Sequence, residues 1–225
     1  MILKPQNTLL VLLLTALFFL SSFYFSSNNN TTFARDKKDD QPLQGVTVAV
    51  DPGHGGYDPG AVGVTGVQEK EVALKASFKL AEHLQEQGAK VVFTRDSDYN
   101  PGFYPRVNLA HRAGADVFIS IHANHHPDPG ISGVETYFYS WGNFALSSRK
   151  LARLVQDEMV SYSGLRDIGI QHGSFYVIRA PQMPSILVEL GFLSNYHDES
   201  LLKQDSYLEG QARSISNGLV EYFAN

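Results

Sequence analysis

At 225 residues, with 43% hydrophobic and 18% charged side chains, the chain has material for one well-buried core and a short appendage. A formal charge of −5, which becomes −6 once residues 1–44 are set aside, excludes a protein that works by neutralising nucleic-acid phosphates. Without cysteine there is no disulfide, thiolate metal site or thiol nucleophile, so any metal must sit on His, Asp or Glu.

Lys4 precedes the leucine-rich run Leu9–Leu20, and apolar character continues weakly to Phe25. A positive start, an apolar centre and a polar exit predict a signal peptide or signal anchor over residues 1–25, with residues 9–25 near the lower limit of a membrane span. Thr32-Phe-Ala34 is a poor small-x-small cleavage site, which leaves both cleavage and retention open. Residues 26–44, rich in Asn, Thr, Ser, Asp and Lys, read as a disordered tether, and the folded domain is expected over 45–225.

From there strand-like and helix-like stretches alternate, the pattern of a single α/β domain with a central, mostly parallel twisted sheet of about six strands and helices on both faces. The expected strands are Val46–Val50, Lys90–Thr94, Val117–His122, Val134–Tyr139, Phe175–Ile178 and Ile186–Leu190. Helical periodicity marks Glu69–Gln87, Pro105–Ala113, Leu146–Ser161 and Tyr207–Phe223, the first closed by Gly88.

In such sheets ligands bind beyond the carboxyl ends of the strands. His54 follows the first strand among Pro52, Gly53, Gly55 and Gly56, which let backbone crowd close to whatever the imidazole holds; taken alone it fills a turn equally well. His122 closes Val117-Phe-Ile-Ser-Ile-His122, and Glu189 sits in Ile186-Leu-Val-Glu-Leu190. Polar groups at the ends of apolar strands are costly to desolvate without a partner or a task. Glu69 opens the first helix in line with Val72, Ala73, Ala76 and Leu80, whereas Glu71 lines up with a mixed face, so Glu69 is the inward carboxylate.

Two imidazoles, one carboxylate and an open position form the usual catalytic zinc set, which His54, Glu69 and His122 supply. Glu189 is left to take a proton from water and return it to a leaving amine. His125 and His126 are rival ligands on a loop before Pro127-Asp-Pro-Gly130; His83, His111, His172 and His197 lack a ligand-like neighbour. The glycines fit neither nucleotide-loop spacing, so no phosphate cofactor is expected.

Five ordered stretches, Val48-Ala-Val-Asp51-Pro-Gly-His54-Gly-Gly with Gly66-Val-Gln-Glu69-Lys70, Val92-Phe-Thr-Arg95-Asp96, Ser120-Ile-His122-Ala-Asn124 and Leu187-Val-Glu189-Leu-Gly-Phe-Leu-Ser-Asn195, resemble the zinc-dependent N-acetylmuramoyl-L-alanine amidases. The likeness runs over about residues 45–225. It implies that His54, Glu69 and His122 are zinc ligands, that Glu189 is catalytic, and that the substrate is the peptidoglycan amide between lactyl group and L-alanine, attacked outside the cytoplasmic membrane. Arg106 and Asn124 fall in family-like positions that either touch substrate or brace the site, and Asp51 is a candidate to orient His54. The long helical plug of some members is missing after Tyr139, where only Ser140–Ala145 intervenes, so an open site independent of an activator protein, in a monomer, is expected. The rival readings are a zinc peptidase on another wall amide and a wall-binding module without catalysis; manganese or iron suits a similar ligand set.

Overall fold

The computed structural model describes residues 41–224. The expected export segment, 1–25, lies outside the described residues, and so does all but the end of the expected tether. The elements in chain order are β1 (Thr47–Pro52), α1 (Glu69–Glu86), β2 (Lys90–Phe93), α2 (Phe103–Ala113), β3 (Val117–Asn124), β4 (Val134–Phe138), α3 (Ala145–Ser163), β5 (Asp167–His172), α4 (Tyr176–Arg179), β6 (Ser185–Phe192), α5 (Tyr196–Leu202) and α6 (Asp205–Ala224). The strands form one sheet in the order β2-β1-β3-β6-β4-β5. Every neighbouring pair is parallel except β4 and β6.

Alternate residues of a strand point to opposite faces, and this chain has apolar side chains on both. Val48, Val50, Ile119, Ile121, Ile186 and Val188 join the larger core with Leu80 of α1, Leu151 of α3 and Ile215 of α6. Ala49, Phe118 and Leu187 face the other way, onto Ala110 of α2 and Val177 and Ile178 of α4. Truncating one of the completely buried leucines, such as Leu151, costs about 2–5 kcal/mol through lost burial and the cavity left behind.

Phe175–Ile178, expected as a strand, is instead an extended residue, Phe175, followed by the single helical turn α4. Four bulky residues are too few for periodicity to separate strand from helix; Val177 and Ile178 are buried by packing onto the second core, which a helical turn achieves as well as a strand. The sixth strand is β5, an edge strand that carries Gly169 and Gln171 and is nowhere fully buried. Leu43, expected in the tether, is completely buried and its amide donates to the Gln87 carbonyl at 2.9 Å, so the packed body begins before Gly45. Among the described residues no helix is long and apolar enough to cross a membrane.

The topology also sets the place of the cleft. β1 lies between β2 and β3, with α1 leaving it on one face and α2 returning on the other. The carboxyl ends of β1 and β3 therefore part at a switch point, where open α/β sheets make their crevices.

Candidate metal centre

Immediately beyond β1 the chain turns sharply and places His54 in the left-handed backbone region, at φ 59°. Its Nδ1 lies 2.9 Å from Asp58 Oδ2, and its Nε2 lies 3.1 Å from Glu69 Oε2. Glu69, the first residue of α1, is buried; its Oε2 also accepts from the Ala61 amide at 2.8 Å and its Oε1 from the Ala123 amide at 3.2 Å. His122, near the end of β3, brings Nδ1 to 2.7 Å from Glu69 Oε1. The backbone must come close here: a Cβ on Gly53 would stand 2.3 Å from His122 Cε1, and one on Gly60 2.5 Å from Glu69 Oε2.

The hydrogen-bond partners fix which ring nitrogen faces inward. Asp58 is an acceptor for His54 Nδ1–H, which leaves Nε2 with its lone pair towards Glu69. Ser120 Oγ donates to Asp51 Oδ2 at 2.7 Å and so accepts from His122 Nε2–H at 3.1 Å, which leaves Nδ1 as the inward lone pair. The three ligand atoms lie within 4.8 Å of one another, close enough to share one cation. In the metal-free state a proton serves: burial opposes charge on His54, but hydrogen bonds to Glu69 and Asp58 raise its pKa above 6.5. Burial likewise works against ionised Glu69, yet His122 and His54 hold its carboxyl well below the usual range. The donor set and its supporting acceptors fit a divalent metal.

Asp51 does not touch His54. It takes Arg106 Nη1 at 2.8 Å, Ser120 Oγ, and Thr94 Oγ1, so its reach towards the ligands runs through Ser120 to His122. The residue that orients His54 is Asp58, four positions along in the same glycine-proline turn; an Asp at that spacing was the available signal. Arg106 is buried and also donates to the Pro52 and His54 carbonyls, so it ties the turn carrying His54 to α2. Asn124 donates to Glu135, a buried carboxylate of β4 that sequence reasoning passed over because nothing local shows which strand β4 will pair with.

Glu189 lies on β6 in register with His122 on β3 and with Glu135 on β4. It is buried, and its Oε2 has no hydrogen-bond partner. Burial, first of all, and then the charges of Glu69 and Glu135 push its pKa well above 4.5. Glu69, His54, His122 and Glu189 share one cavity of about 480 Å³, rimmed by Phe103, Phe175 and Tyr176. His125 borders that cavity from an exposed position and His126 is turned to Asp128, so neither joins the ligand cluster; Glu71 is exposed. Among the rest, His83 pairs with Glu209 and His111 accepts from the Gln182 amide.

An α/β sheet with two histidines and a carboxylate converging in a cleft, and a buried carboxyl of raised pKa beside them, carries the residue set of a metal-assisted hydrolase. The chain belongs to the N-acetylmuramoyl-L-alanine amidase family, which it matches over residues 48–221. It is 41% identical over 182 residues to the N-acetylmuramoyl-L-alanine amidase LytC of Bacillus subtilis, covering 81% of this chain and 36% of that protein. The germination-specific N-acetylmuramoyl-L-alanine amidase of the same organism is 36% identical over 198 residues, covering 81% of each. Among solved structures, an N-acetylmuramoyl-L-alanine amidase of Clostridium difficile 630 superposes with a TM-score of 0.77 at 36% identity, over 80% of this chain and 97% of that one. This chain thus spans about a third of LytC but most of the smaller relative's length.

Proposed function

We propose that the chain hydrolyses the amide between the lactyl group of N-acetylmuramic acid and L-alanine in peptidoglycan, with zinc held by His54, Glu69 and His122. The observation that carries this reading is the meeting of three ligand atoms with one buried, unpartnered carboxyl oxygen in a single cavity. When bound, zinc supplies Lewis-acid polarisation of the scissile carbonyl and draws the pKa of water towards neutrality. Glu189 takes the proton of the attacking water and, with its high proton affinity, keeps it for the amine nitrogen as the C–N bond breaks. Water is consumed, and a lactyl carboxylic acid and a free amine leave. Arg106 and Asp51 hold the turn of His54 and the Ser120 partner of His122 in place.

The rest of the organisation belongs to the same reading. Residues 1–25 direct export or anchor the chain, the following polar stretch is the tether, and the body acts at the wall outside the cytoplasmic membrane as a monomer. An activator protein is not needed: the imidazoles of His54 and His122 keep 26% and 15% of their surface exposed, and the link from β4 to α3 is short.

Digestion of purified peptidoglycan by the full chain, with and without a chelator, tests this, with the broken bond identified by mass spectrometry. Release of intact stem peptides beginning at L-alanine, abolished by chelation and restored by zinc, is the expected result. Cuts within the peptide that leave the lactyl–alanine bond intact overturn it.

A further inference from the structure

A second cavity, of about 200 Å³, lies across α4 from the metal cleft: Phe175 to Val177 line the first, Ile178 and Arg179 the second. We propose that it binds a short β-1,4-linked chain of N-acetylated amino sugars, with Trp141 as the stacking surface. β4 runs against β6, so it carries the chain from Glu135, beside Glu189, to Phe138, beside Ile186, and delivers Tyr139 and Trp141 to the other end of the sheet.

Trp141 is the chain's one tryptophan, and it is 63% exposed. The ring is nevertheless fixed. It stands edge-on to His172 at 4.4 Å and to Tyr139 at 5.6 Å, and His172 Nδ1 is held by the Ser140 amide at 3.3 Å and lies 2.7 Å from Ser140 Oγ. A ring already set in place loses little freedom when a ligand covers it. Around it the cavity has Phe144 as a second apolar surface and exposed Asn143, Gln182 and Arg179 as hydrogen-bonding groups. Arg179 spends one donor on Ser174 Oγ at 3.3 Å, leaving the remainder of its fork for a ligand.

This mixture matches a pyranose. The axial C–H bonds of a sugar ring make an apolar face for an indole, while its hydroxyl and N-acetyl groups ask for amide and guanidinium partners at the edge. A bilayer surface is a poorer fit, because it does not enter a concavity of this size, although Leu146 and Arg149 are exposed nearby. The choice of amino sugar rests on the peptidoglycan reading above; the pocket itself owes nothing to the metal.

With a single indole, emission reports on this pocket directly. Titrating the full chain with tetra-N-acetylchitotetraose is expected to shift Trp141 emission to the blue and to saturate, in Glu189→Gln as in the parent. By calorimetry Trp141→Ala should weaken binding about tenfold or more, the loss of one stacked ring, with Trp141→Phe keeping most of it. Both variants should cleave a soluble muramoyl peptide bearing a single sugar at the parental rate. Unchanged emission at high sugar, or unchanged affinity in Trp141→Ala, overturns the proposal, and so does a response to anionic phospholipid vesicles without one to the sugar. A parent protein that fails to cleave the muramoyl peptide strikes at the amidase reading alone.

Discussion

Glu135 and Glu189 stand directly opposite one another across the antiparallel β4–β6 pair. Both are buried, and burial is the first reason that both hold protons more tightly than an exposed carboxylate. They differ in what they have to spend. Glu135 is engaged by Asn124 and by the Tyr137 hydroxyl at 3.0 Å, whereas Glu189 Oε2 has no partner. Once ionised, Glu135 acts on Glu189 as a neighbouring negative charge. Glu135→Gln removes that charge, makes Glu189 easier to ionise, and should move the acid limb of the kcat/KM profile to lower pH. A limb that stays in place or moves up contradicts this.

Glu189→Gln keeps the shape of the cavity floor but can accept no proton. Amide hydrolysis should fall by about 10²–10⁴-fold, the ordinary contribution of a general base, while zinc content per chain stays at the parental level. Kinetics together with metal analysis on one preparation separate this from loss of the metal centre.

The same residue makes an uncommon stability prediction for the metal-free protein. The folded pKa of Glu189 lies above the ordinary 4.5, so the folded state keeps its proton to higher pH than the unfolded chain does. Stability is therefore lost as pH rises from the unfolded value towards the folded one. Glu189→Gln escapes that loss: in chelator, its urea midpoint should match the parent near about pH 4 and exceed it increasingly above. A constant offset across pH would show that the substitution acts through packing instead.

Asp58 earns a test that sequence reasoning did not supply. As the acceptor for His54 Nδ1–H it sets the tautomer and ring angle, and supporting carboxylates of this kind typically contribute about 10–100-fold to metal affinity. Asp58→Asn should weaken zinc by that factor in competition with a chromogenic chelator, and excess zinc should restore hydrolysis.

Arg106 and Asp51 are a buried pair, with 3% and 1% of their side-chain surface exposed. Arg106→Ala strands the Asp51 charge and should cost about 3–5 kcal/mol in chemical denaturation. The double variant Arg106→Ala with Asp51→Asn should recover part of that loss, which a simple packing defect would not do.

The sheet centre was legible because its strands are apolar on both sides: β1, β3 and β6 announce themselves as Val, Ile and Leu runs. Glu69 was separable from Glu71 because helical geometry alone puts one on the buried stripe. The β5 edge was harder, whereas β2, the other edge, was expected at Lys90–Thr94 and found at Lys90–Phe93. β5 is polar and part-exposed, and α5 has only seven residues, although its Asn195 cap, accepting from the His197 and Asp198 amides, is a signal visible in the sequence. Links between distant segments, such as Asp51 to Ser120 to His122, or Glu135 to Glu189, depend on strand order and register, which no local pattern carries.

The burial of Leu43 has a mechanical meaning. Leu43 is latched to Gln87 at the far end of α1, while Glu69 at the near end holds the ligand cluster, so the helix separates the two by about 27 Å, 18 residues at 1.5 Å each. The first described residues thus sit at the end of α1 away from the cleft. Truncating Leu43 would therefore loosen the end of α1 remote from Glu69, lowering stability there without touching the residues that bring His54, Glu69 and His122 together.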